Sequence, residues 1–419
     1  MEKYLIIGGK KLFGEVKISP AKNACLPLIA STIMFSGEFL LQNAPKISDV
    51  IIMAKIVENL GGSFIFTDKG LLLKTFNINS YSPSKEICCK ARASFFIAGA
   101  LLSRFKRAIV PLPGGCNIGI RPVDVHIDAF NQLGVDCIMD KDYVKFDANK
   151  MKSGMVSLKY PSVGATVNAI CACVGLMGES LISNCAKEPE IVDLCNFLNL
   201  CGAKISGIGT SLIKIEGIAL NKSLKIVHRP IDDRIEAGTF IFATAVTGGE
   251  IAFKYDNVCN ICSAIKTIEK MGVQTRYEKN TLYVKSKGEL DATQQVADVF
   301  PAFPTDLQSP LCSVCAYANG ESVIEDRVFK DRFAFVKQLN DFGVNARVLG
   351  SQAVIKGSKI NNPCTEKALD LRAGAGLVIY ALGAQGESQI FGVDIIRRGY
   401  ENLEQKLRLL GADIQYILS

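Results

Sequence analysis

The segment Pro111-Leu112-Pro113-Gly114-Gly115-Cys116-Asn117-Ile118-Gly119-Ile120-Arg121-Pro122 holds the side chain best suited to acid or nucleophile chemistry. Two glycines precede Cys116 and Arg121 follows it, so the thiol is expected to be exposed and close to positive charge. Those conditions favour the thiolate and raise reactivity. A cysteine that merely fills a loop is the alternative, and the residue types leave both readings open. The prolines and glycines read as a lid or binding loop and not as a helix. Carboxylates that could take a proton are Asp306, Asp124, Asp232, Asp233 and Asp370. Asp306 stands out because Pro301-Ala302-Phe303-Pro304-Thr305-Asp306 carries it from a proline-stiffened turn to a helix start. There it either caps the helix or, with a substrate hydroxyl in hydrogen-bond reach, acts as a base. His126, in the run Val123 to Leu133, reads equally as a core, capping or catalytic residue. His228 carries no motif and reads as structural.

A second group of charges sits where helices begin: Lys22-Asn23, Arg92-Ala93-Ser94, Ser162-Val163-Gly164-Ala165-Thr166, Asp233-Arg234, Thr305-Asp306 and Asp370-Leu371-Arg372. A helix start carries unsatisfied N–H groups and partial positive charge, so Lys22, Arg92, Arg234 and Arg372 lie where the dipole disfavours them by several tenths of a kcal/mol. A solvated lysine or an arginine paired to a neighbour, such as Asp370 with Arg372, accounts for any one site. The recurrence favours a phosphate-rich ligand between two domains.

The elements that must position these residues repeat. Six amphipathic runs (Val50 to Leu60, Val123 to Leu133, Ile191 to Leu200, Val258 to Met271, Arg332 to Phe342 and Tyr400 to Leu410) each end at a glycine before a strand-like segment. Those glycines, Gly61, Gly134, Gly202, Gly272, Gly343 and Gly411, are 68 to 73 residues apart, and glycine suits a left-handed helix stop. Each repeat has a second, strongly apolar helical run, starting near Ala21, Ala91, Ser162, Arg234, Thr305 and Asp370. Five of these end in Gly-Glu, at Gly37, Gly178, Gly249, Gly320 and Gly386. The second repeat has Phe105-Lys106-Arg107-Ala108 instead, just before the Cys116 loop, which marks selection for something besides folding. The unit reads strand, helix, strand, helix, strand, strand, an α/β class. A chain of 419 residues fits two domains of roughly 200 residues each, so the units are expected to close as three plus three. The crossover is placed near residue 230, in His228-Arg229-Pro230-Ile231-Asp232-Asp233.

Composition bounds the rest. Apolar residues make up 48% and charged residues 21%, the balance of a globular protein and not of a disordered one. No apolar run approaches the ~18 residues that cross a bilayer, and the opening Met1 to Gly9 reads as a strand, so a cytosolic protein is expected. The net charge of +7 suits an anionic ligand. The 15 cysteines read mainly as small core hydrophobes. Cys259/Cys262 and Cys312/Cys315 have zinc-like spacing but lie in helix-like runs, and a buried helix face is the expectation for both.

Taken together, Ala21-Lys22-Asn23-Ala24, Arg92-Ala93-Ser94, Pro113-Gly114-Gly115-Cys116, Gly119-Ile120-Arg121-Pro122-Val123-Asp124, Ser162 to Thr166, Glu188 to Asp193, Phe303-Pro304-Thr305-Asp306, Asp370 to Ala373 and Arg398-Gly399-Tyr400-Glu401 resemble the enolpyruvyl transferase family over essentially the whole chain. The resemblance implies a two-domain inside-out α/β barrel, three units per domain, facing a cleft, with domains 22–229 and 1–21 plus 230–419. It implies transfer of the enolpyruvyl group of phosphoenolpyruvate to the 3-hydroxyl of UDP-N-acetylglucosamine by addition and elimination. Cys116 matches the acid, Asp306 the base, and Lys22, Arg92, Arg121 and Arg398 the cations around carboxylate and phosphate. Asn23, Asp124, Val163, Gly164 and Val328 match sugar-nucleotide contacts, Pro122, Val123 and Ser162 further substrate-binding positions, and Asp370 and Arg372 a supporting charged pair. No metal, cofactor, nucleic acid or membrane is implied, and no oligomeric state follows. The chain departs from the family pattern at Tyr160-Pro161, where some relatives have a lysine, and at Ile395-Ile396-Arg397, where the usual residue before Arg398 is acidic. The second departure is expected to alter the field at Arg398. The shikimate-pathway branch opens with Ser-Lys-Ser where this chain has Ala21-Lys22-Asn23, and lacks the loop cysteine. An RNA 3-terminal phosphate cyclase would need a late histidine, and this chain has none after His228.

Overall fold

The computed structural model describes residues 2–114, 123–329, 332–359 and 361–418. Two compact units emerge. One holds Met1–Ser19 and Asp232–Ser419, and the other the described residues between Pro20 and Ile231. The chain crosses from one to the other at Ser19/Pro20 and again at Ile231/Asp232.

Apolar runs without a polar face form the centre of each unit, as expected for helices buried on all sides. In the Pro20–Ile231 unit these are Lys22–Thr32, Ile97–Phe105 and Val163–Val174, buried from Ala24 to Thr32, Ile97 to Ser103 and Ala165 to Val174. Ile97–Phe105 packs closely on Val163–Val174 because Gly99 has no side chain: a Cβ there would lie 2.2 Å from the Asn168 carbonyl oxygen. In the other unit Arg234–Thr247, Gln308–Cys315 and Leu371–Gly383 pack on one another in the same way. Two of the expected helix starts are tighter than predicted: Arg92–Phe96 and Thr305–Leu307 are 3-10 turns that lead into the α-helices.

The sheets share one recurring topology. In the Pro20–Ile231 unit, Ser223–His228 runs parallel to Ser36–Gln42, which pairs antiparallel with Gly70–Lys74 and then Ser63–Thr67. Met155–Ser157, Gly178–Ser183, Leu212–Gly217 and Lys204–Ser206 repeat the pattern. Arg107–Pro111, Tyr143–Asp147 and Asp136–Met139 form its three-stranded version among the described residues. The other unit has three more sheets of this order, built on Gly249–Lys254, Glu321–Asp326 and Glu387–Phe391. The last is completed by the chain's first strand, Glu2–Ile7, paired with its last, Asp413–Leu418. Ser36–Gln42 alternates buried and half-buried residues, the period-two signature of a strand with one face on a core.

The outer helices are Ser48–Asn59, Asp124–Gln132, Pro189–Leu200, Cys262–Lys270, Ala334–Asp341 and Leu403–Leu409. Each stops at its glycine in the left-handed region, with φ between 85° and 105° at Gly61, Gly134, Gly202, Gly272, Gly343 and Gly411. Any other residue there would incur about 1–2 kcal/mol of strain. The central helix Ile97–Phe105 stops at Lys106, which itself adopts φ 58°.

The cysteine expectation needs one correction. Cys312 and Cys315 are buried on a central helix, but Cys259 is exposed and Cys262 half-buried. The Asn257 side chain accepts from the Cys259 N–H and starts a 3-10 turn, Val258–Ile261, that turns this pair outward.

Candidate active site

In the Pro20–Ile231 unit, three central-helix starts carry the cationic and polar residues singled out above. Lys22 is the first residue of its helix, behind Ala21, which supplies no side-chain cap. Its ammonium lies 3.1 Å from Asp49 Oδ2, and both side chains are about nine-tenths buried, at 11% and 9% exposure. Asn23 follows, half-buried. Arg92 opens its 3-10 turn behind Ala91, again without a side-chain cap. Ser162 does cap: its hydroxyl accepts from the Ala165 N–H, leaving Val163 and Gly164 on the first turn. Asp124 is exposed at the start of Asp124–Gln132, behind buried Val123. Cys116, Arg121 and Pro122 lie outside the described residues.

His126 is settled as a packed residue. It is 7% exposed, its ring stands edge-on to Phe95 at 5.0 Å, and its Nδ1 is 2.8 Å from Asn168 Nδ2. Burial, and secondarily the charge of Arg92, push its pKa down to about 3, so the ring is neutral. His228 reaches Asp193 Oδ1 at 2.8 Å and packs on Phe197, in keeping with a structural role.

In the other unit, Asp306 is the hub. Its Oδ1 accepts from Arg332 Nη2 at 2.9 Å and its Oδ2 from Arg372 Nη2 at 2.8 Å. The two arginine side chains are 3% and 4% exposed. Arg332 also donates to Thr305 Oγ1, which in turn donates to Asp326 Oδ2. The other oxygen of Asp326 accepts from the backbone N–H of Val328 and Phe329. Arg372 lies 5.6 Å from the Tyr400 ring centroid, and the Tyr400 hydroxyl meets Thr239 Oγ1 at 2.9 Å. Burial opposes the charge on Arg372, but Asp306, Tyr400 and Asp233 outweigh it and raise its pKa above the usual guanidinium value.

The expected Asp370–Arg372 side-chain pair is not formed. Asp370 caps Leu371–Gly383 by accepting from the backbone N–H of Arg372 and Ala373, which orients its carboxylate to the helix end. The Arg372 guanidinium is thereby left to Asp306. Arg398 directly follows the short helix Val393–Arg397 and is half-buried.

Sequence reasoning missed Arg332, Asp49 and Asn168. Arg332 sits just ahead of a helix without any motif, so its spacing gave no signal. Asn168 was visible in principle, as a lone amide in an apolar helix.

A family model for EPSP synthase (3-phosphoshikimate 1-carboxyvinyltransferase) matches residues 6–407. The UDP-N-acetylglucosamine 1-carboxyvinyltransferase of Halothermothrix orenii is 39% identical over 419 residues, covering all of both chains. Enzyme 1 of that name from Clostridium acetobutylicum is 40% identical, again over the full length of both. The chain belongs to the UDP-N-acetylglucosamine 1-carboxyvinyltransferase family. Among solved structures, the enolpyruvyl transferase NikO from Streptomyces tendae shares the fold, with a TM-score of 0.88 at 21% identity over 100% of this chain and 99% of that one. An EPSP synthase from Acinetobacter baumannii aligns over all of both chains with a TM-score of 0.72 at 15% identity. The α/β enolpyruvyl transferase fold is thus that of this carboxyvinyltransferase family member. No helix among the described residues is long and apolar enough to cross a membrane.

The family departure at Arg397 has a clear structural consequence. The Arg397 guanidinium is 3.8 Å from the Tyr416 ring centroid, and it donates to Glu404 Oε1 at 2.7 Å. Glu404 is 3% exposed and accepts from the Tyr4 hydroxyl through its other oxygen. The added positive charge is therefore neutralised by a buried carboxylate beside it, which offsets the change in field expected at Arg398. Tyr160, at the other departure, is 43% exposed and its carbonyl accepts from the Ser162 N–H.

Proposed function

We propose that this protein transfers the enolpyruvyl group of phosphoenolpyruvate to the 3-hydroxyl of UDP-N-acetylglucosamine, releasing phosphate, at the first committed step of peptidoglycan synthesis. The observation that carries the reading is full-length identity of 39–40% to enzymes of that name, together with Cys116 in Pro-Gly-Gly-Cys.

The residues divide the work as follows. The 3-hydroxyl oxygen adds to C2 of phosphoenolpyruvate and gives its proton to Asp306, while the Cys116 thiol delivers a proton to C3. Loss of a C3 proton back to the Cys116 thiolate then re-forms the double bond as the C2–phosphate oxygen bond breaks. Asp306 suits its role because Arg332 and Arg372 fix one carboxylate oxygen each, so the group is oriented before substrate arrives. Lys22, Arg92, Arg121 and Arg398 stabilise charge on the carboxylate and the departing phosphate. Asn23, Pro122, Val123, Asp124, Ser162, Val163, Gly164 and Val328 hold the sugar nucleotide. Asp370 supports this from behind, by capping the helix that aims Arg372 at Asp306.

The finer architecture belongs to the same proposal. Domains of residues 22–229 and 1–21 plus 230–419 each close three repeat units into an inside-out barrel, helices within and sheets outside. The recurring parallel–antiparallel–antiparallel sheet order and the buried central helices support it. A cytosolic location suits the two substrates.

Phosphate release measured with phosphoenolpyruvate plus UDP-N-acetylglucosamine tests the function. Turnover is expected with that acceptor, not with shikimate 3-phosphate, and is expected to be abolished by fosfomycin, an epoxide that alkylates the acid cysteine. Turnover with shikimate 3-phosphate alone would overturn the assignment.

A further inference from the structure

We infer that Cys259 and Cys262 form a reversible dithiol–disulfide site, at which the exposed Cys259 thiol attacks a low-molecular-weight disulfide and Cys262 then closes the ring. The site uses none of the residues assigned to enolpyruvyl transfer and does not rest on that reading.

Local geometry puts the two side chains together. The Asn257 side chain accepts from the Cys259 N–H and opens a 3-10 turn, Val258–Ile261. The Cys262 N–H then donates to the Cys259 carbonyl oxygen, so one hydrogen bond closes the turn around the pair. In a 3-10 turn, residues three apart eclipse one another. A disulfide needs Cβ atoms about 3.5–4.5 Å apart, and an eclipsed pair approaches that range.

Exposure divides the roles. Both residues are free thiols, Cys259 exposed and Cys262 half-buried. Burial raises the Cys262 pKa, and the charge and hydrogen bond of Cys259 raise it further, with Glu269 in the same direction and Lys266 opposed. Cys259 is therefore the thiol that reacts first. Its thiolate attacks one sulfur of a small disulfide RSSR, forming a Cys259–SR mixed disulfide and releasing RS⁻, which takes up a proton. Capped in this way, Cys259 no longer carries the charge that disfavours ionisation of Cys262. The Cys262 thiolate attacks Cys259 Sγ, the Sγ–Sγ bond forms, and the second RS⁻ leaves. The protein dithiol has lost two electrons and two protons, and the small disulfide has become two thiols.

The chain contains its own control. Cys312 and Cys315 have the same spacing, but both are buried in the α-helix Gln308–Cys315, and burial pushes both thiol pKa values up. A small disulfide has no access to them. Among the described residues, no third histidine, cysteine or carboxylate joins either pair in a group that could hold a metal ion.

Trypsin cuts after Lys254 and Lys266, so one peptide, residues 255–266, carries both thiols and no other cysteine. The full chain is incubated with oxidised glutathione, its remaining thiols are alkylated in urea, and this peptide is weighed. It should be lighter by two hydrogens, carry no glutathione, and revert with dithiothreitol. Cys262→Ser should instead hold glutathione on Cys259, and Cys259→Ser should slow modification of Cys262 about tenfold or more. The peptide with Cys312 and Cys315 should stay reduced. Glutathione persisting on Cys259 in the unmutated chain, no reaction at either thiol, or equal oxidation of Cys312 and Cys315 would overturn the inference. None of these outcomes bears on phosphate release, so the proposed function is tested separately.

Discussion

Replacing Asp306 by asparagine separates its structural role from its chemical one. In the native site two guanidinium groups, 3% and 4% exposed, each donate to one oxygen of this carboxylate. Asp306→Asn removes the negative charge and turns one acceptor into a donor that faces an arginine. Losing one member of a buried charge cluster costs about 3–5 kcal/mol. Residual partners keep the figure at the lower end: Arg332 retains Thr305 and Phe329, and Arg372 retains Tyr400 and the field of Asp233. A loss of about 3 kcal/mol should lower the melting temperature of a unit of this size by roughly 6–12 °C. Turnover should fall by about 10²-fold or more, as for removal of a general base. Adding Arg372→Met to Asp306→Asn removes one uncompensated charge and should recover part of the stability. It should recover no phosphate release. Calorimetry and a phosphate-release assay on the two single variants and the double variant measure both effects. Recovery of turnover together with stability would refute the role of Asp306 as proton acceptor, and an unchanged melting temperature in Asp306→Asn would refute the clamp.

Other outcomes follow from single residues. Cys116→Ser should abolish phosphate release while leaving UDP-N-acetylglucosamine affinity within about twofold, by titration calorimetry, since the thiol acts on phosphoenolpyruvate and not on the nucleotide. Mass spectrometry after fosfomycin should place the adduct on Cys116 and not on Cys259, which is exposed; labelling of Cys259 instead would show that exposure rather than activation governs the reaction. Arg397→Ala should cost about 3 kcal/mol by leaving Glu404 buried without its cation, and Arg397→Lys should restore part of it in urea unfolding. His126 makes stability pH-dependent: its folded pKa of about 3 lies below the unfolded value of 6.5. The unfolded chain then binds the extra proton as pH falls through that window, so stability present above pH 6.5 is lost towards pH 3. Between pH 7 and pH 5 the loss attributable to this ring is about 2 kcal/mol. Urea unfolding of the unmutated chain and His126→Gln should differ in pH slope by that amount.

The glycine helix stops were legible because their markers are local. A left-handed stop after an amphipathic helix selects glycine regardless of what surrounds it, and Gly61, Gly134, Gly202, Gly272, Gly343 and Gly411 all adopt that conformation. The apolar central helices were legible for the same reason, since burial on all sides leaves no polar stripe. Pairings between distant residues were not. The bond from Arg372 to Asp306 spans 66 positions, whereas Asp370 lies two residues away and made the obvious partner. Helix geometry decides against it: a residue just ahead of the first turn points its carboxylate at the open backbone N–H groups, not along the chain to a guanidinium. The Lys22–Asp49 contact, between two separate helix starts, escaped for the same reason. Cys259 shows the opposite failure, a local pattern overridden by the Asn257 side-chain cap two residues earlier.

The two units end up with different chemistry at equivalent helix starts. In the Asp232–Ser419 unit, Asp233 and Asp370 each accept two backbone N–H bonds at a central-helix start, and Asp306 lies in the first turn of the third. At the first two starts carboxylates cap those N–H groups, whereas Asp306 gives its oxygens to Arg332 and Arg372. In the Pro20–Ile231 unit, Ala21 and Ala91 supply no side-chain cap and Ser162 supplies a neutral one, with Lys22 and Arg92 alongside. Acidic caps thus close two central-helix starts of one unit, while none of the three in the other carries an acidic cap. Exchanging the caps tests whether this asymmetry matters. Ala91→Asp should place an internal carboxylate at the Arg92 helix start, lower the melting temperature because Ala91 is buried, and raise the KM for an anionic substrate severalfold through competition for the same N–H groups. A variant with unchanged KM for both substrates would show that this helix start takes no part in binding an anion.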